Sequence, residues 1–133
     1  MAEVEDQYLD VLRNIEAAIA GAARAETGAV DAHVAAALDG LLRGYQAEAR
    51  GKPAPAVRLT PPAQAVYLAA KSMCDWRLGR ETLVNEEGVA QSLPRALTLD
   101  EIAACLKRLR RSVETWTKKN GRRGYLDFVS RYV

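Results

Sequence analysis

Aromatic and reactive side chains are scarce in this chain. In 133 residues it has a single Phe, a single His (His33) and two cysteines, Cys74 and Cys105. One imidazole allows one Cys–His pairing at most. Nucleophilic catalysis of that type needs the ring within reach of the thiol and a third group to orient it. One His and two distant Cys also match no recognised zinc spacing, and two such cysteines are no disulfide framework. Both thiols therefore read as small buried hydrophobes on helix faces. The phosphate-cradling loops G-x-x-x-x-G-K-[ST] and G-x-G-x-x-G are missing. Residues 121–124 (GRRG) read as a turn. No paired acid and base stands at a motif spacing. The expectation is a protein without catalytic residues, metal or cofactor.

Long apolar runs are lacking too. The most apolar stretch, Ile15 to Ala23, is alanine-rich and interrupted by Glu16. It falls short of the roughly 18 apolar residues a membrane span needs. The acidic stretch Met1 to Asp10 does not show the basic-then-apolar order of a signal peptide. A cytoplasmic chain with no membrane partner is expected.

What is present is ordinary globular material. Apolar residues make up 49% and charged residues 27% of the chain, enough to form a single domain over residues 1–133. The charge is unevenly spread. Residues 1–50 carry four basic and nine acidic side chains, and residues 101–133 carry nine and three. Such an imbalance points either to an anionic partner or to attraction between the two ends of the chain, and the second reading is preferred.

Apolar spacing predicts helices near residues 4–25, 31–50, 61–78, 99–119 and 125–132. In the first, Tyr8, Val11, Leu12, Ile15, Ile19 and Ala22 recur at steps of three and four. Asp31 is read as the N-cap of the second, whose stripe is Val34, Leu38, Leu41, Leu42 and Tyr45. Gly51 and Pro53 end it. Residues 51–59 (GKPAPAVRL) form an extended, Pro-rich linker. Thr60 caps the third helix, with Pro61 at its first position. Residues 80–97 form a long loop, in which Leu83-Val84 and Val89-Ala90 can pair across an NEEG turn. Thr98 and Glu101 form a capping box for the fourth helix. Its stripe is Ile102, Leu106, Leu109, Val113 and Trp116. In the fifth, Tyr125, Phe128, Val129 and Tyr132 share a face. The expected fold is all-α: an antiparallel helical bundle of four main helices plus a short C-terminal one.

Two groups of residues are candidate sites. Lys107, Arg108, Arg111, Lys118 and Lys119 lie opposite the apolar stripe of the fourth helix, and Arg122 and Arg123 follow. Together they can grip an anion, because Lys and Arg neutralise phosphates and release their counterions. The plainer reading is a solvated face in which Glu114 pairs at helical spacing. The second group is Trp76, Arg77 and Arg80, in the segment DWRLGR. At a helix end beside the long loop they can line an anion or peptide pocket. The plainer reading there is a Trp over the core with surface ion pairs. The functional expectation is a non-enzymatic helical interaction or accessory protein with a protein partner or a second copy of itself, as a homodimer. The alternative is a nucleic-acid-binding module using the basic face of the fourth helix.

Overall fold

The computed structural model describes residues 13–20, 22, 30–93 and 95–120. The expected fifth helix, with Arg122 and Arg123, lies outside the described residues. Those described are mostly helical. Residues 13–20 are helical and are called α1. They are followed by α2 (Val30–Ala49), α3 (Pro61–Arg77) and α4 (Leu99–Asn120). None of these helices is long and apolar enough to cross a membrane.

The helix ends follow local chemistry. Thr60 is extended and its hydroxyl accepts from the Ala63 N–H at 3.3 Å, as an N-cap should. Thr98 and Glu101 make the reciprocal capping box, Glu101 N–H to Thr98 Oγ1 at 3.2 Å and Thr98 N–H to Glu101 Oε1 at 3.1 Å. Asp31 departs from expectation. It stands within the first turn of α2, because the helix already begins at Val30. There its carboxylate still complements the positive end of the helix.

The C-termini of α2 and α3 share one motif. Lys52 N–H bonds Ala47 C=O at 2.8 Å and Gly51 N–H bonds Glu48 C=O at 3.0 Å. Arg80 N–H likewise bonds Asp75 C=O at 2.8 Å, and Gly79 N–H bonds Trp76 C=O at 2.9 Å. Each pair is a Schellman cap. It needs a left-handed residue, supplied by Gly51 at φ +68° and Gly79 at φ +78°.

The apolar stripes meet in one core. Ile15 and Ile19 from α1, Val34, Leu38 and Leu41 from α2, Val66, Ala70 and Cys74 from α3, and Ile102, Cys105, Leu106 and Leu109 from α4 are all buried in it. α2 is central and packs against both α3 and α4.

Helix directions differ from a uniformly antiparallel bundle. α4 does run against α2: Asp31 meets Thr117 and Asp39 meets Arg110. α3, however, runs parallel to α2. His33 contacts Thr60, Gly40 faces Tyr67, Tyr45 bonds Asp75 and Glu48 bonds Arg80. The reason is the linker. An extended segment of about ten residues at ~3.1 Å each spans roughly 30 Å, the length of a twenty-residue helix at ~1.5 Å each. The linker therefore carries the chain back along the whole of α2 before α3 starts. It lies close to the helix at Gly40, where a Cβ would stand 3.1 Å from Val57 Cγ1.

The loop between α3 and α4 is closed on itself. Leu97 N–H bonds Arg77 C=O at 2.8 Å, so its two ends meet. Within it Val84 and Ala90 form an antiparallel bridge. Asn85 Oδ1 holds the turn by accepting from the N–H groups of Glu87 and Val89 at 3.0 and 2.9 Å.

Candidate functional site

The basic face of α4 is divided by its surroundings. Arg110 Nε donates to Asp39 of α2 at 3.0 Å, and Lys118 donates to Glu114 at 3.2 Å. Thr117 donates to Asp31 at 3.1 Å. The acidic second helix thus lies along one flank of the basic fourth. Lys107, Arg111 and Lys119 point outward and are exposed, and Arg108 is half-buried. At 100° per residue Lys107, Arg111 and Lys118 fall within about 40° of one another on the outward side, with Glu114 among them.

The fold keeps Trp76 and Arg77 together and directs Arg80 elsewhere. Trp76 is buried, and Arg77 is only 1% exposed, with its guanidinium carbon 5.8 Å from the Trp76 ring centroid. Arg80 is on the other side of the cap, directed at α2, where it forms a two-pronged pair with Glu48, Nη1 to Oε1 at 2.9 Å and Nη2 to Oε2.

That last contact leads to a cluster the sequence did not predict. The Asp75 carboxylate is largely buried between α2 and α3. It accepts from Tyr45 Oη at 2.7 Å and from Lys71 Nζ at 2.6 Å. Lys71 also stands 5.9 Å from the Tyr45 ring centroid. The bond to Asp75 holds the Lys71 ammonium above its ordinary pKa. Burial, reinforced by Cys74 and Asp75, raises the Tyr45 phenol, so that it remains a proton donor. The bond from Arg80 lowers Glu48, and the same bond raises Arg80. One part of this cluster was visible locally, since Lys71 and Asp75 stand four residues apart on one helix. Tyr45 and Glu48 come from a different helix and carry no local signal.

The cluster borders an open cleft of about 140 Å³ lined by Leu41, Gly44, Tyr45, Glu48, Ala54, Tyr67, Lys71 and Arg80. A second cleft, of about 270 Å³, lies between α2 and the linker beside Asp39, Gly40, Arg43, Val57 and Arg58. The cysteines are far from nucleophilic. Burial raises the Cys74 thiol, and it pushes Cys105 up to about 11. His33 bonds the Thr60 hydroxyl at 3.0 Å. Among the described residues no three His, Cys, Asp or Glu side chains are grouped to hold a metal ion. Compared with known proteins, the chain matches no family model, no curated protein and no solved structure.

Proposed function

We propose that this protein is a non-enzymatic helical interaction protein that associates with a second copy of itself. The observation that carries the reading is the hairpin between α3 and α4. Val84 and Val89 are each 58% exposed there, among the exposed carboxylates Glu81, Glu86 and Glu87. Exposed apolar side chains with carboxylates beside them in sequence suit a partner of the opposite charge, because burial supplies affinity and charge supplies orientation. The outward stripe of α4, Lys107, Arg111 and Lys118, is such a surface on the same chain. A two-fold arrangement repeats the contact twice and closes the assembly.

Sedimentation velocity over a wide range of protein concentration tests this. A dimer is expected at low salt, weakened as salt rises and lost when Val84 and Val89 are both replaced by Ser. A single monomeric species at every concentration removes the self-association reading. A second reading rests on the same stripe: Lys107 and Arg111, with Lys118 shared with Glu114, are also a footprint for nucleic-acid phosphates.

A further inference from the structure

We propose that the cleft bordered by Gly44, Tyr45, Glu48, Tyr67, Lys71 and Arg80 is a binding site for a small zwitterion the size of a free α-amino acid. The first observation is Gly44. Glycine in a helix interior is unfavourable, and it persists where something must come close to the backbone. Gly40, one turn earlier, has such a reason: the linker and Tyr67 press against it. Gly44 has none among the described residues, where a Cβ built there meets nothing within 4 Å. It opens instead onto the cleft. The space a side chain would fill is left for another molecule.

The second observation is the charge content of the walls. Two cations, Lys71 and Arg80, stand in the wall with the carboxylate of Glu48, and the buried Asp75 behind them accepts from Lys71, so the two ion pairs leave the cluster electrically balanced. A simple anion or a simple cation would upset that balance, whereas a zwitterion preserves it. The groups also have unused capacity. Lys71 has three donors and gives one to Asp75; Arg80 has five and gives two to Glu48. Their side chains are 42% and 44% exposed, and Glu48 is 47% exposed with lone pairs left over. A ligand carboxylate can take the spare donors of Lys71 and Arg80 while its ammonium meets Glu48. Asp75, held by Tyr45 and Lys71, keeps the lysine in place. The cleft volume of about 140 Å³ suits a molecule of amino-acid size.

The test is a proton–nitrogen NMR titration of the full chain. The probes are L-alanine, L-leucine, L-phenylalanine and L-glutamate in turn, with acetate and methylammonium as single-charge controls. At least one amino acid should give saturable shifts at the Gly44, Tyr45, Lys71 and Arg80 amides at about millimolar concentration, and neither control should. Arg80→Gln, a surface change, should weaken binding about tenfold, as loss of a charge-assisted hydrogen bond does. Gly44→Leu fills the cleft and should abolish binding. The same position replaced by Ala should raise the melting temperature, since the site is open and alanine favours helix. Saturation by acetate alone, shifts that survive in both Arg80→Gln and Gly44→Leu, or no saturable shift with any of the four amino acids overturns the proposal. None of these results depends on whether the chain is a monomer or a dimer.

Discussion

Asp75 is a charged residue placed where charge is costly, and two donors compensate it. Its side chain is 12% exposed and takes hydrogen bonds from Tyr45 and Lys71. Removing one partner of a buried carboxylate leaves desolvation uncompensated, at a cost of about 1–3 kcal/mol. Tyr45→Phe keeps the ring and removes only that bond, so urea denaturation should show a loss of this size. The neighbouring Arg80–Glu48 pair joins the same two helices, but both side chains are nearly half exposed. Exposed pairs contribute roughly 0–1 kcal/mol. The two contacts therefore differ in kind. The first holds α2 to α3, and the second can be altered at small cost to stability, which makes Arg80 a clean position for the binding test.

At the scale of the element, α4 is the best specified. Its N-terminus is closed by Thr98 and Glu101, and its C-terminal turn carries Lys118 and Lys119, both favourable to the helix dipole. Thr98→Ala should cost about 1 kcal/mol, the usual worth of an N-cap, measured by thermal or chemical denaturation. The box is also pH-dependent. The Thr98 N–H, with Arg95, lowers the Glu101 pKa below that of the unfolded chain. The folded state thus binds its proton less readily. The stabilisation is fully present above the ordinary glutamate range and declines as pH falls through it toward the folded value. Glu101→Gln retains an acceptor for the Thr98 N–H but has no charge to lose. Its stability should fall less steeply between neutral and acid pH than that of the parent chain. An equal acid slope in both proteins would assign the effect to other carboxylates.

At the scale of the molecule, one core joins the four described helices, so a cavity at its centre is felt in each of them. Leu106 is fully buried in that core. Leu106→Ala should destabilise by about 2–5 kcal/mol, read as a lower denaturation midpoint at unchanged slope. A loss below about 1 kcal/mol would contradict its burial. The outer face of α4 makes the opposite prediction. Asp39, Asp31 and Glu114 temper its basic flank, so a generic DNA or RNA oligomer should bind feebly at low salt. Tight binding, with a steep fall of log K against log salt at about 0.7–0.9 per phosphate, would promote the nucleic-acid reading. In that event replacing Arg111 and Lys118 by Gln should flatten the slope by roughly one to two units.

The sequence by itself determined the features that neighbouring residues decide. Caps at Thr60 and Thr98, the stop at Gly51, the stripes of α2 and α4, and the Asn85 turn each depend on residues about four positions apart. Those are the distances over which backbone hydrogen bonds and helix faces operate. Tertiary structure alone decided the rest. Tyr45 and Asp75 are 30 positions apart, Glu48 and Arg80 are 32, and Asp39 and Arg110 are 71. Which of them meet depends on the direction of α3, and that direction depends on the path of the linker. Its signal was present in the extended length of residues 51–59, which matches the length of α2, but composition alone does not reveal it. The burial of Arg77 was equally hidden. A polar side chain is placed inside by its neighbours' packing, which no local pattern of charge or hydropathy encodes.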